Sequence, residues 1–120
     1  MTAVTGVSEP HGMTWTAICA AEEVVRGGGV AALLPGGRQV AVFRTVDDEL
    51  FALSNIDPFS RAAVLSRGIL GDSEGVPFVA SPMLKQRFDL RTGSCLDDDS
   101  VAVATYPVRL RGGIVHVGSP

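Results

Sequence analysis

Hydrophobic and polar positions along this chain alternate in short runs, and no stretch carries the 3.6-residue spacing of a long amphipathic helix. β-Branched and aromatic residues gather between turn-forming ones, which predicts many short strands. Trp15 to Cys19 reads as a first strand, followed by Ala20-Ala21-Glu22-Glu23 as a short helical turn that Gly27-Gly28-Gly29 ends. Val30 to Leu34 and Arg38 to Thr45 then flank Pro35-Gly36-Gly37, a hairpin signal. Val46-Asp47-Asp48-Glu49 marks the next turn and leads into a strand from Leu50 to Ser54.

The last hairpin carries the clearest signal. In the run Val108 to Val117, Gly112-Gly113 supplies the positive φ angles of a two-residue turn. That register pairs Leu110 with Val115 and Val108 with Val117 on a core face. Arg109 then lies opposite His116, and Arg111 opposite Ile114, on a face that is wet or meets a partner. The pattern as a whole predicts an antiparallel β sandwich or barrel with no internal repeat and no linker. Two stretches fit it poorly: Asn55 to Gly75, and Ala80 to Cys95.

Composition narrows the function classes. The chain has 120 residues, 46% of them hydrophobic and 19% charged. That content suits one folded domain and argues against disorder. The formal net charge is −3, so the electrostatic case for nucleic acid fails. Arg, Gly or Pro interrupts every apolar run before it reaches the length of a membrane span. Residues 1–13 show no basic-then-apolar signal and read as a loose leader before a domain over 14–118. Without an export signal, Cys19 and Cys95 are expected to be reduced thiols and the chain cytoplasmic.

The two awkward stretches hold the informative motifs. Asn55-Ile56-Asp57-Pro58-Phe59-Ser60 follows the strand that ends Phe51-Ala52-Leu53-Ser54. Downstream stand Val64-Leu65-Ser66-Arg67-Gly68-Ile69, then Ser81-Pro82-Met83-Leu84-Lys85-Gln86-Arg87-Phe88-Asp89-Leu90-Arg91-Thr92-Gly93 running into Ser94-Cys95-Leu96-Asp97-Asp98, and finally Tyr106-Pro107-Val108-Arg109. Over nearly the whole chain this series resembles the Rieske-like small subunits of NAD(P)H-dependent nitrite reductases. The resemblance implies an all-β, Rieske-like sandwich or barrel of the iron–sulfur-protein type, with a small lobe formed by two loops.

A Rieske centre needs two Cys thiolates on one iron and two His imidazoles on the other. Set against the ligand loops of Rieske proteins, Asp57 stands at the first Cys position and Phe59 at the first His. Ser81 stands at the second Cys and Leu84 at the second His. A phenyl ring and an isobutyl group offer no lone pair, a neutral hydroxyl is a poor stand-in for a thiolate, and one carboxylate is a weak site. The expectation is a chain that holds no cofactor and no metal.

The resemblance also implies a partner: a large subunit carrying FAD, an iron–sulfur cluster and sirohaem, where nitrite is reduced to ammonium. The small subunit would then be a non-redox component with no catalytic residue of its own. Two readings of the loop tips stay open. Phe59, Met83 and Leu84, with Arg61, Lys85 and Arg87 around them, form a docking apex for the large subunit; or Phe59 and Leu84 fill the volume a cluster would occupy. Two rival functions also stand: an electron carrier of the Rieske ferredoxin class, and a clusterless module of another oxidoreductase.

Other candidate chemistry is weak. His11, His116, Cys19 and Cys95 are scattered rather than paired as zinc ligands are. Asp97-Asp98-Asp99 lacks the spacing of a calcium loop and reads as a solvated turn. Gly27-Gly28-Gly29 opens no helix and cradles no phosphate. Ser66, Ser81 and Ser94 have no His placed to activate them.

Overall fold

The computed structural model describes residues 12–120, so His11 and nearly all of the expected leader lie outside the described residues. The described residues form ten strands in three antiparallel sheets. In chain order these are β1 (Thr14–Ala20), β2 (Gly28–Leu33), β3 (Gln39–Arg44), β4 (Leu50–Ser54) and β5 (Ile69–Ser73). They continue with β6 (Val76–Ala80), β7 (Arg87–Asp89), β8 (Thr105–Tyr106), β9 (Val108–Arg111) and β10 (Ile114–Ser119). Single turns of 3-10 helix occupy Ala21–Glu23 and Leu65–Arg67.

The central sheet has the order β2-β3-β4-β8 and is covered on both faces. Strand β3 shows why. Val40, Ala41, Val42 and Phe43 are all buried, and successive side chains feed opposite sides of the sheet. Ala41 and Phe43 join Leu53, Leu65, Val79, Phe88, Leu90, Cys95 and Val103 in one core. Val40 and Val42 join Val24, Leu34, Ala52, Val115 and Val117 in the other. The first core lies under the loop lobe, the second under the terminal sheet β1-β10-β9.

The hairpins appear where the Gly-bearing turns place them. β2 pairs with β3 around a turn closed by Leu34 N–H to Arg38 O at 2.8 Å. β9 pairs with β10 in the expected register, Leu110 with Val115 and His116 with Arg109. The faces differ from expectation. Leu110 is exposed on β9, the edge strand of its sheet, while His116 is buried on the central strand β10. The burial follows from a third strand: β1 pairs with the other edge of β10 and sets Ala17 opposite His116. The Arg109 guanidinium lies 3.8 Å above the Trp15 ring on that sheet. His116 Nδ1 lies 3.1 Å from the Ile114 carbonyl, so this residue is structural rather than a solvated partner of Arg109.

The two stretches that fitted the β pattern poorly supply β5 and β7 to a third sheet, β5-β6-β7, whose middle strand links them. The loop lobe is therefore built on strands and not on loops alone. Pro77 stands in the middle strand, where a missing N–H would ordinarily break a ladder. The β6–β7 ladder proper begins at Phe78, which pairs with Asp89, and Pro77 still uses its carbonyl there, accepting from Leu90 N–H at 2.9 Å.

Candidate functional site

Two loops of nearly the same construction meet at the end of this lobe. The first leaves β4, and buried Asn55 anchors its root: the Asn55 side-chain oxygen accepts from Ser66 N–H at 2.7 Å and the Asn55 carbonyl from Leu65 N–H at 3.1 Å. Asp57 N–H then donates to Ala62 O at 2.9 Å, and Arg61 N–H returns to Asp57 O at 2.7 Å. The second loop leaves β6 with Ser81 N–H donating to Gln86 O at 2.9 Å and Lys85 N–H returning to Ser81 O at 3.0 Å. A proline follows the first residue of each loop, Pro58 and Pro82, where its fixed φ suits the opening of a turn.

The leading side chains complete the match. Asp57 Oδ1 accepts from Phe59 N–H at 2.8 Å, and Ser81 Oγ accepts from Met83 N–H at 3.2 Å. Ser81 Oγ–H in turn donates to Asp57 Oδ2 at 2.5 Å. Asp57 is 0% exposed and Ser81 1%. A buried carboxylate without donors is costly; here two donors, one N–H and one O–H, use both of its oxygens.

The structure brings Asp57 and Ser81 together and separates the other two candidate positions. Phe59 is half-buried, packs on the first core and sets its ring 6.3 Å from that of Phe88. Leu84 is 61% exposed and Met83 52%. Phe59 thus packs against the core beside Phe88, whereas Leu84, expected to fill the loop junction with it, stands at the outer tip. Pro58, Arg61, Pro82 and Lys85 are exposed as well. Arg87 is engaged elsewhere. Its guanidinium binds Asp97 through two bonds, Nε–Oδ2 at 3.2 Å and Nη2–Oδ1 at 2.8 Å, and lies 5.6 Å from the centre of the Phe78 ring. Its charge is therefore already paired within the chain.

A [2Fe–2S] cluster does not fit these residues. The four positions supply a carboxylate already held by a hydroxyl and an amide, a hydroxyl already spent as a donor, and two hydrocarbons. The thiols lie elsewhere: Cys95 is in the first core, and Cys19 is on β1, where burial and then Glu23 push its pKa up. Both cysteines are free thiols. Among the described residues no cluster of three or more His, Cys, Asp or Glu is placed to hold a metal ion.

The acidic turn is engaged within the chain. Asp97 takes the Arg87 side chain, and Asp98 accepts from Ser100 N–H and Oγ–H. Both carboxyls are held below their ordinary pKa, Asp97 by Arg87 and Asp98 by Ser100. A groove of about 520 Å³ lies away from the loops, between the Thr45 to Glu49 turn and the β5–β6 hairpin. It holds no nucleophile with a base and gives no reason to look there for chemistry. Asn55 is the positioning residue that sequence reasoning passed over; a lone Asn between a strand and a loop was its only signal.

The sequence profile of the Rieske-like [2Fe-2S] domain family matches residues 14–118. The nitrite reductase (NADH) small subunit of Salmonella typhimurium is 46% identical over 104 residues, covering 86% of this chain and 95% of the relative. The chain belongs to the nitrite reductase small-subunit family. A solved Mycobacterium tuberculosis chain, assigned as an NADH-dependent nitrite reductase small subunit, superposes on it with a TM-score of 0.87. That structure shares 49% identity, covering 90% of this chain and 96% of its own. The large subunit of the Klebsiella oxytoca nitrite reductase [NAD(P)H] also contains a matching stretch, 46% identical over 105 residues. That stretch spans 88% of this chain and 11% of the longer protein. The small-subunit domain thus occurs both as a separate chain and inside a nitrite reductase polypeptide. No helix among the described residues is long and apolar enough to cross a membrane.

Proposed function

We propose that this chain is the non-redox small subunit of a cytoplasmic NAD(P)H nitrite reductase, docking on the large subunit through the tips of the Asp57 and Ser81 loops. The observation that carries this reading is the coupling of a closed, metal-independent loop junction to an exposed apolar tip. Asp57 and Ser81 bind each other, while Met83 and Leu84 stand exposed just beyond them. Two large apolar side chains held outward, with Lys85 next to them in sequence and exposed Arg61 at the matching step of the Asp57 loop, have the make-up of an interface anchor with a cationic rim. The partner is argued from the Klebsiella oxytoca protein, in which such a domain and a large subunit share one polypeptide.

In this reading electrons pass from the nicotinamide cofactor to nitrite through groups on the large subunit. This chain adds buried interface area and orders what it covers. It has no ligand set for a cluster, so it does not carry electrons. The test is a Met83→Asp variant of the full chain mixed with its own large subunit. It is expected to weaken complex formation at least tenfold while the variant melts as the parent does. Unchanged capture of the large subunit would overturn the docking assignment. Stoichiometric iron in the purified parent chain would instead favour the ferredoxin alternative.

A further inference from the structure

We infer that the Asp57–Ser81 pair is a clamp that substitutes for a metal cross-link, fixing the relative placement of the two loops and so pre-forming the docking tip. The inference rests on the docking reading for its functional half. Its structural half stands on the hydrogen bonds alone.

Four groups form one network that converges on the Asp57 carboxylate. Met83 N–H donates to Ser81 Oγ, Ser81 Oγ–H donates to Asp57 Oδ2, and Phe59 N–H donates to Asp57 Oδ1. The loops are 24 residues apart in sequence, and this is the side-chain hydrogen bond that joins them. It is buried, and a charge-assisted bond in a dry setting is among the stronger ones available. Two neutral thiols at the same points would have no comparable bond and would need a metal between them. A carboxylate and a hydroxyl need none.

The choice of partners also explains why the loop pattern persists without a cluster. Each loop turns its +2 amide onto its leading side chain and closes with its +4 amide on the leading carbonyl. Because both loops offer the same cradle, the acid could stand in either. The clamp needs one charged acceptor and one hydroxyl donor, not a fixed order.

The consequence reaches the tip directly. Met83 donates its own N–H into the network, and Leu84 lies between that bond and the Lys85 N–H to Ser81 O closure. Loosening the clamp frees the two apolar anchors together. Binding must then order them again, which weakens association without removing any interface atom.

The experiment uses the full chain and its large subunit, reading amide hydrogen exchange at Phe59 and Met83 alongside affinity. Ser81→Ala is expected to speed exchange at both amides about tenfold or more and to weaken large-subunit binding about tenfold, with exchange in β3 and β10 unchanged. The exchanged pair, Asp57→Ser with Ser81→Asp, is expected to restore both readouts to within about threefold of the parent. Asp57→Asn, which keeps the shape and removes the charge, serves if Ser81→Ala fails to fold, and should show the same accelerations to a smaller degree.

Parental exchange at Phe59 and Met83 in Ser81→Ala or Asp57→Asn would overturn the clamp. So would failure of the exchanged pair to recover protection. Fast exchange with undiminished affinity would uphold the clamp but overturn its link to docking. Met83→Asp separates the two halves: weak binding there with parental exchange in Ser81→Ala keeps the docking reading and rejects the clamp.

Discussion

Arg61 and Lys85 occupy the same backbone conformation at the same step of two loops, with φ of 65° and 66°. Each is the fourth residue after the loop leader, and each returns its N–H to that leader's carbonyl. Left-handed φ values are uncommon for residues with a Cβ and worst for β-branched ones. Lys85→Val is therefore expected to lower stability by about 1–2 kcal/mol, and Lys85→Gly to leave it within about 0.5 kcal/mol. Denaturant unfolding of the two variants checks the order.

Phe59 and Leu84 stand at the two former imidazole positions in our reading, yet they do different work. Phe59 packs on the core beside Phe88, and Leu84 faces outward. Phe59→Ala should cost about 2 kcal/mol, below the full range for a buried phenyl because the ring is only half-buried. Leu84→Ala should change stability by less than about 0.5 kcal/mol. Equal losses in thermal melting would contradict the split.

Gly93 closes the turn after β7 with φ of 80°, and an added Cβ would stand 2.1 Å from Val103 O. That oxygen belongs to backbone and cannot swing aside. Gly93→Ala is expected to cost about 3 kcal/mol or more. Gly36→Ala has a similar φ of 87° but open space around the site, and should cost about 1 kcal/mol. A small loss at Gly93 would mean that the segment around Val103 can move away.

Asp97 is held below its ordinary pKa first by the side-chain bond from Arg87 and then by the Arg87 backbone N–H. A carboxyl depressed in the folded state stabilises the fold above its unfolded pKa, about 3.9, and loses that contribution as pH falls through the folded value. Melting temperatures of the parent and of Asp97→Asn should therefore differ at pH 7 and converge below about pH 4. The gap is small because the pair is exposed, and it should shrink in high salt.

Iron analysis offers a direct check on the empty ligand set. The purified chain should bind less than about one-tenth of an iron per molecule, and chelators should leave its melting unchanged. A cluster-dependent fold would instead lose stability with its metal. A visible absorption band bleached by chelator would reverse our account of Asp57 and Ser81.

How far the sequence spoke for the fold depended on the element. Gly36-Gly37 and Gly112-Gly113 mark hairpins because their positive φ angles are demanded locally, so both pairings were legible. Strands β5 to β7 were not. Gly71 and Asp72 look like turn residues, and Pro77 reads as a strand breaker, until the β6–β7 ladder is seen to begin at Phe78. The candidate loops were legible through their residue pattern. The contact between Asp57 and Ser81 was not, since nothing local announces a bond between residues so far apart. His116 misled for a similar reason: alternation within one hairpin cannot show that a third strand lies along its other edge.

Strand β1 runs beside β10, with Thr14 opposite Ser119, so the two extremities of the domain lie together on one sheet. A fold whose ingress and egress are neighbours can be grafted onto a longer polypeptide at either extremity without threading or rebuilding its interior. That geometry gives a mechanical reason why evolution could splice this domain into a nitrite reductase polypeptide in one lineage and leave it untethered in another.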